Sequence, residues 1–300
     1  MNRYLLASAA VLLSAAQSDW NVRDHIALKD IVVQSHRGAG NLMAENSAEA
    51  FELAWRLGTL PEADIRTTSD GVIVAFHDDN FKRILLHADA AEQQRGIKDL
   101  TWDQTSRLDI GAWKGPQFAG QRVPRMSDVY KMLQGHPERR MYIDIKNIDM
   151  DQLARETVKA RVTRQLILAS TDYTVIRRWK ALAPESSTLH WMGGTEEVLA
   201  GRIAALRKSN FADITQLQIH VRPKDGGITP SPQFLVEVGK ELRLHGILFQ
   251  AFAYDASQPA DFWRLLDLGV ASFATDSPDL AMRSLREYYN HRPEAGRKPL

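Results

Sequence analysis

The fold is decided by residues 141–183, MYIDIKNIDMDQLARETVKARVTRQLILASTDYTVIRRWKALA. Apolar runs at 141–145 and 165–169 predict strands, and the amphipathic stretches 150–160 and 173–183 predict a helix after each of them. The connections are only a few residues long, and strands that alternate with helices in this way form parallel sheets. This stretch therefore predicts two consecutive strand–helix units of an α/β protein.

The same alternation extends to both sides of this stretch. About eight strand–helix units over roughly 250 residues predict a closed (β/α)8 TIM barrel, with an open doubly wound sheet as the alternative. Residues 36–41 (HRGAGN) lack the glycine spacing of a dinucleotide-binding loop. Further strands are predicted at 31–33, 63–67, 71–76, 189–192, 214–221, 247–251 and 271–274, and further helices at 47–57, 196–208, 232–245, 259–268 and 278–289.

Two segments depart from the repeating pattern. Residues 79–124 contain no clear strand–helix pair, which predicts a small insertion after the second strand unit, on the catalytic face of the barrel. At the N-terminus, Arg3 precedes an uncharged apolar run at 4–16 that ends in a small-residue cleavage pattern. This pattern predicts a signal peptide over 1–16 and a secreted or periplasmic protein with one domain over 17–300; the alternative is an N-terminal packing helix.

Composition limits the classes of partner and cofactor. The chain of 300 residues carries 38 basic and 37 acidic side chains, a formal charge of +1, which argues against broad binding to nucleic acid. The apolar run at 4–16 is shorter than the ~20 residues of a membrane-spanning helix. The chain has no cysteine, so any bound metal is held by oxygen or imidazole ligands.

Ionisable residues follow or end several of the predicted strands. Residues i and i+2 of a strand share a face, so Glu62 and Asp64 point the same way, as do Asp144 and Lys146. In a barrel, residues at the carboxyl ends of the strands meet at one mouth, which is where we expect these segments to converge. The segments are His36-Arg37, Glu62-Ala63-Asp64, His77-Asp78 and Asp144-Ile145-Lys146.

These residue types together indicate phosphoester chemistry. Three carboxylates in one place require a cation, and an all-oxygen set of Glu62, Asp64 and Asp144 suits Mg²⁺ or Ca²⁺. Arg37 and Lys146 would bind an anionic substrate such as a small phosphodiester. Two histidines, His36 and His77, suit proton transfer near neutral pH.

At these residues the sequence resembles the glycerophosphodiester phosphodiesterase family. The resemblance implies a TIM barrel with a small insertion, a divalent cation on Glu62, Asp64 and the third-strand carboxylate, and His36 and His77 as the acid/base pair. It implies cleavage of glycerophosphodiesters to sn-glycerol 3-phosphate and an alcohol. The motifs that carry it are Ser35-His36-Arg37-Gly38, Glu45-Asn46-Ser47, Glu62-x-Asp64, Thr68-x-Asp70-Gly71, His77-Asp78, Gly111-Ala112-Trp113, Phe118-Ala119-Gly120, Arg122-Val123-Pro124, Ile143-Asp144-Ile145-Lys146 and Thr275-Asp276-Ser277-Pro278.

The sequence also departs from the family pattern. The third ligand is Asp144 where the family usually has Glu, and Phe252 and Asp255 stand where Trp and Asn are common. The last two changes bear on the substrate pocket, so two alternatives stay open: cleavage of lysophospholipids at the same site in phospholipase D fashion, and a barrel that only binds a phosphorylated ligand.

Several residues near the motifs have more than one interpretation. Glu45 and Asn46 either cap the following helix or support the metal site, and Asp78 can orient His77. Two i, i+2 pairs line the pocket, fill the barrel or lie outside it: Gln218 with His220, and His190 with Met192.

Overall fold

A computed structural model describes residues 20–224 and 227–290; the predicted signal peptide at 1–16 lies outside this range. The strands are β1 (Val32–Ser35), β2 (Leu60–Thr67), β3 (Ile73–Ala75), β4 (Met141–Asn147), β5 (Leu166–Ser170), β6 (Ser187–Met192), β7 (Gln216–Lys224), β8 (Gly227–Thr229), β9 (Leu248–Ala253) and β10 (Ser272–Thr275). The helices are α1 (Val22–His25), α2 (Ala48–Leu57), α3 (Ala90–Gln94), α4 (Trp102–Thr105), α5 (Met126–Leu133), α6 (Met150–Ala160), α7 (Tyr173–Leu182), α8 (Glu196–Arg207), α9 (Pro232–Leu244), α10 (Pro259–Asp267) and α11 (Pro278–Asn290).

Eight of the strands close into a parallel barrel. Their order is β1, β2, β4, β5, β6, β7, β9, β10 and back to β1. Closure is visible at β1, which pairs in parallel with β10 through Val32 and Ser272 and with β2 through Gln34 and Leu60. The predicted (β/α)8 barrel is therefore confirmed, and the doubly wound alternative is wrong because the sheet has no open edge at β1.

A helix follows each barrel strand and covers it from outside. The eight helices are α2, α5, α6, α7, α8, α9, α10 and α11. Local sequence sets their ends: in α2, Ser47 Oγ accepts a hydrogen bond from the Ala50 amide, and Gly58 ends the helix in the left-handed conformation, with φ 79°. Ser47, and not Asn46, is thus the N-terminal cap of this helix, which leaves the Asn46 side chain available for another role.

The strand predicted at 71–76 is not part of the barrel. β2 extends past its barrel neighbours, turns at residues 68–72, and returns as β3, which pairs antiparallel with it through Ile65 and Ala75. This hairpin carries the chain back to the mouth of the barrel, where the amide of Phe76 bonds the carbonyl of Asp64. The segment after β3 thus reaches the mouth without following a barrel strand.

Residues 79–124 lie between this hairpin and α5, and they carry a small core of their own. Trp102 and Trp113 pack on it from the side. The sequence pattern assigned no element to 126–133, where the structure forms α5, the second helix of the barrel. The buried side chains of this small core are Val74, Phe76, Phe81, Ile84, Ile97, Leu100, Ile110 and Val123.

The barrel interior is partly polar. Tyr142, Ile167, Ala169 and Leu189 form an apolar layer inside it, while the main core lies between the strands and the helices. The Tyr142 hydroxyl donates to Gln216 Oε1 at 2.7 Å, and further buried amides continue this network, so its polar atoms are satisfied. The amides are Gln34, Gln218 and Gln250.

Candidate active site

Three buried carboxylates converge at the mouth of the barrel. Glu62 and Asp64 share the inner face of β2, and Asp144 on β4 stands in register with Asp64. They are 6%, 2% and 7% exposed, and one oxygen of each lies within 4.8 Å of the others. We call these residues the acidic triad.

The acidic triad has an excess of negative charge. The Lys146 ammonium lies 3.0 Å from Asp64 and 2.8 Å from Asp144. Burial raises the pKa of Asp144 to about 7, against the pull of Lys146 and with the other two carboxylates adding to the rise. Burial likewise raises the pKa of Glu62, whereas the pKa of Asp64 is lowered because Lys146 and its other partners outweigh burial.

This charge state fits a divalent cation. One ammonium against three carboxylates leaves negative charge that a cation would neutralise, and hard cations prefer carboxylate oxygens. The donor set of the acidic triad therefore suits a hard divalent cation.

The loop after β1 positions the triad through two residues in the left-handed region. Arg37 and Asn46 have φ values of 51° and 54°, a conformation that costs energy in a residue other than glycine. Asn46 Nδ2 donates to Asp64 Oδ2, and its Oδ1 accepts from the Asp64 amide, both at 2.9 Å. Asn46 thus supports the triad, which decides between the two interpretations of this residue.

His36 is held from one side by Asp276. Its Nδ1 lies 2.6 Å from Asp276 Oδ1, so the other ring nitrogen faces the site, 4.0 Å from Glu62. Burial disfavours the imidazolium, but Asp276 and Glu62 outweigh it and raise the pKa of His36. Gly40 lets the two loops approach, because a Cβ there would lie 2.2 Å from the Asp276 carbonyl oxygen. Asp276 belongs to one of the motifs that carry the family resemblance, but nothing in the sequence assigns it a role.

His77 has a matching arrangement. Its Nδ1 lies 2.6 Å from Asp78 Oδ1, and its Nε2 accepts from Arg37 Nη2 at 2.8 Å. Arg66 fixes the segment, since its guanidinium donates twice to the His77 carbonyl. Each of the two histidines thus has Nδ1 bound to a carboxylate, but Nε2 of His36 faces the site whereas Nε2 of His77 is bound by Arg37.

Arg83 connects the support of His77 with that of Arg37. Its guanidinium donates to both oxygens of Asp78, at 2.9 and 3.0 Å, and also to both oxygens of Glu45. Glu45 in turn accepts from Arg37 at 3.2 Å. Burial raises the pKa of Asp78, but the hydrogen bonds and charges of His77 and Arg83 outweigh it and hold the pKa well below its ordinary value. Nothing but its place six residues after His77 could have drawn attention to Arg83.

The opposite side of the mouth is aromatic. Trp191 on β6 and His220 on β7 stack with 5.2 Å between centroids, and Phe252 on β9 stacks on Tyr254 at 4.2 Å. We call Trp191, His220, Phe252 and Tyr254 the aromatic wall. Its edge reaches the catalytic side, because Phe252 packs edge-on against His36 at 5.0 Å.

The two residue pairs with several interpretations lie on opposite faces of the barrel wall. Gln218 fills the barrel and His220 lies at its mouth. His190 and Met192 lie outside: His190 donates to the Ser170 carbonyl, and Met192 belongs to the core beneath the helices. The side chain between them, Trp191, is the one that faces the mouth, because alternate residues of a strand face opposite sides.

The mouth of the parallel barrel thus combines a carboxylate cluster, two carboxylate-bound histidines and two basic side chains. This combination is typical of a phosphodiester-cleaving enzyme of the TIM-barrel class. The model of the Glycerophosphoryl diester phosphodiesterase family matches residues 36–280. The chain belongs to this family, and it is a phosphoric diester hydrolase that acts on glycerophosphodiesters. The lysophospholipid and binding-only alternatives are not favoured.

Sequence relatives agree with the family, and a solved structure shares the fold. YhdW of Bacillus subtilis (strain 168) is 34% identical over 264 residues, which cover 83% of this chain and 96% of YhdW. The glycerophosphodiester phosphodiesterase of Caldanaerobacter subterraneus subsp. tengcongensis is 26% identical, covering 87% and 99%. A phosphodiesterase of Oleispira antarctica, solved with the product sn-glycerol-3-phosphate, aligns with a TM-score of 0.64 at 21% identity, covering 85% and 96%. Within the part of the chain that the structure describes, no helix is long and apolar enough to cross a membrane.

Proposed function

We propose that His36 and His77 catalyse the hydrolysis of glycerophosphodiesters to sn-glycerol 3-phosphate and an alcohol, beside a divalent cation on the acidic triad. The observation that carries this proposal is the pairing of each histidine with a carboxylate, His36 with Asp276 and His77 with Asp78, both at 2.6 Å. A carboxylate that accepts from one ring nitrogen fixes the tautomer and leaves the other nitrogen for proton transfer, which at His77 requires Arg37 to release Nε2.

The cation and the basic side chains would share the work of charge neutralisation. When bound by Glu62, Asp64 and Asp144, Mg²⁺ or Ca²⁺ supplies electrostatic stabilisation of the phosphoryl oxygens. Arg37 is suited to the same phosphate, because its guanidinium lies at the mouth, in contact with His77 and 3.9 Å from Asp64. Lys146 keeps Asp64 and Asp144 in place and offers its remaining donor to the substrate.

The assay for this proposal is release of sn-glycerol 3-phosphate from glycerophosphocholine and from glycerophosphoglycerol. Activity should disappear in EDTA, return with excess Mg²⁺ or Ca²⁺, and disappear in His36→Ala. His136→Ala is the matched control, because its exposed imidazole also pairs with a carboxylate, Glu138, away from the mouth. Full activity in chelator or in His36→Ala contradicts the proposal, and faster turnover of lysophosphatidylcholine would favour a lysophospholipid substrate.

We also propose that the protein is exported, on the strength of Arg3, the apolar run at 4–16 and the small residues Ser14 and Ala16. Expression of the full chain in a bacterial host should place a shortened protein in the periplasm or the medium. N-terminal sequencing should then read from residue 17. Retention of the intact N-terminus in the cytoplasm would contradict export.

A further inference from the structure

Each ring of the aromatic wall has at least one face covered by another group of the protein. An aromatic cage for a quaternary ammonium needs open ring faces. Here His220 lies flat on Trp191, with 6° between the ring planes. Tyr254 has Phe252 on it, and the Arg222 guanidinium lies 3.6 Å from its ring centroid. One face therefore carries a protein cation where a cage would bind the ligand's cation.

The charge around the wall is positive. Arg202 on α8 donates to the Thr171 carbonyl and hydroxyl, at 2.9 and 2.7 Å. In residues 20–224 and 227–290, no carboxylate lies within 4 Å of Arg202 or Arg222. His220 stays uncharged between them: burial lowers its pKa to about 4, and Arg222, His36 and Arg202 lower it further. The wall thus presents two guanidinium charges and a neutral imidazole.

The wall is also close enough to act on the substrate. Phe252 touches His36 on one side and His220 on the other, at 5.0 and 5.5 Å between centroids. The opposite rim of the mouth is formed by the insertion, where Lys114 interacts with the charges of Glu45 and Asp276. A phosphodiester with its phosphorus beside His36 therefore has one organic arm along the wall.

On the basis of the proposed function, we propose that the aromatic wall with Arg222 and Arg202 is the subsite for one ester arm of the substrate, and that it selects uncharged polyol or anionic arms over a quaternary ammonium. Arg222 is the specificity-determining residue. Its exposed side chain can donate to hydroxyl or phosphate oxygens of such an arm and repels a trimethylammonium group.

The test compares kcat/KM for three substrates that share the glycerophosphate arm: glycerophosphocholine, glycerophosphoglycerol and glycerophosphoinositol 4-phosphate. The natural chain should prefer the last two. Arg222→Gln should move the choline-to-glycerol ratio about fivefold toward choline, the effect of one unit charge at contact distance in water. Arg222→Glu should move the ratio by about 25-fold, and Arg222→Lys should leave it nearly unchanged. Raising the salt concentration should shrink these differences.

The control is Arg286→Gln, which removes the same charge from the exposed side of α11 and should leave the ratio unchanged. An equal change in kcat/KM for all three substrates would place the shared glycerol arm on the wall and overturn the proposal. A ratio that is the same in the whole Arg222 series at low salt would also overturn it. Failure of the proposed function would look different, because then none of the three substrates would be hydrolysed.

Discussion

The two sides of the barrel mouth treat histidine in opposite ways. Beside the acidic triad, Asp276 and Glu62 raise the pKa of His36 in spite of its burial. On the side of the aromatic wall, burial lowers the pKa of His220 to about 4, and the charges of Arg222, His36 and Arg202 lower it further. The same side chain is thus equipped to exchange protons near neutral pH on one side and held as a neutral aromatic ring on the other.

The two sides of the mouth differ in the same way in their expected roles, catalysis on the acidic side and substrate selectivity on the aromatic side. The acidic side is a continuous network of hydrogen bonds, in which Asn46 holds Asp64, Glu45 holds Arg37, and Arg83 holds Glu45 and Asp78. The aromatic side is built from ring contacts, which tolerate changes in the ligand better than a hydrogen-bond network does. Substitutions on the acidic side should therefore change kcat for every substrate, and substitutions on the wall should change the ranking of substrates.

The largest effect is expected at the centre of the acidic triad. Asp64→Asn removes one carboxylate charge at nearly constant volume, and kcat should fall by about a thousandfold, because a divalent cation contributes several kcal/mol to such a reaction. Calorimetric titration should show weaker Mg²⁺ or Ca²⁺ binding. Asp128→Asn on α5 is the control, since its carboxylate is half-exposed and remote from the mouth. Unchanged cation affinity in Asp64→Asn would remove Asp64 from the ligand set.

The next effect concerns the free energy of unfolding and the buried His190. The pKa of His190 is about 4 in the folded protein, against 6.5 for a free imidazole. As pH falls from 6.5 to 4, the unfolded chain takes up a proton that the folded protein does not, so the free energy of unfolding decreases. The shift corresponds to about 3 kcal/mol.

Denaturant titrations across this pH range should show this loss in the natural chain and a flatter curve in His190→Gln. His136→Gln removes an exposed imidazole and should keep the slope of the natural chain. Equal slopes for His190→Gln and the natural chain would show that His190 is protonated in the folded state.

A smaller effect is expected for a positioning residue, Arg83. Arg83→Gln leaves Asp78 and Glu45 without their shared guanidinium, so His77 and Arg37 lose their orientation while the substrate contacts remain. We expect kcat to fall about 10–100-fold, the range for residues that orient metal-site groups, with KM nearly constant. The pH–rate profile should also shift, because Asp78 would lose the guanidinium that helps to keep its pKa low. Arg83→Lys should restore part of the loss.

Arg107→Gln serves as its control, because Arg107 lies in the same insertion and pairs with Asp103 at the surface. A loss in KM alone, or the same loss in Arg107→Gln, would show that Arg83 acts on folding of the insertion and not on His77.

The sequence predicts the acidic side of the mouth better than the aromatic side. The acidic triad and both histidines could be predicted because each of these residues has a second ionisable residue one or two positions away, at or near the end of an apolar run. The path by which the chain brings His77 to the mouth could not be predicted. The pattern at 71–76 indicates a strand but not its direction, and the antiparallel pairing of β3 with β2 depends on contacts of the hairpin turn. Asp276 was missed because its partner His36 lies 240 positions away, and Arg83 because its contact with Glu45 spans 38 positions, although Asp78 is only five positions away.

The sequence indicates only part of the aromatic wall: Phe252 is assigned to the substrate pocket and His220 has several interpretations, but nothing singles out Trp191 or Tyr254. Its members come from β6, β7 and the end of β9, and no spacing along the chain relates them. On β6 the alternation left open which residues face inward, and only the closed barrel places Trp191 inside and His190 outside. The fold was easier, because strand–helix alternation is a local pattern and a count of about eight units suggests closure.

The smallest effect is expected at Tyr254. Among the described residues its hydroxyl has no hydrogen bond, and the contacts of Tyr254 are those of its ring, with Phe252, His220 and Arg222. Tyr254→Phe keeps the ring and its cation–π contact, so kcat/KM should change less than about twofold for every substrate. Tyr254→Leu removes the face on which Arg222 lies and should weaken the preference against choline, measured as the ratio of kcat/KM for glycerophosphocholine and glycerophosphoglycerol. A large loss in Tyr254→Phe would mean that the hydroxyl binds substrate, and the wall would then belong to the polar chemistry of the acidic side.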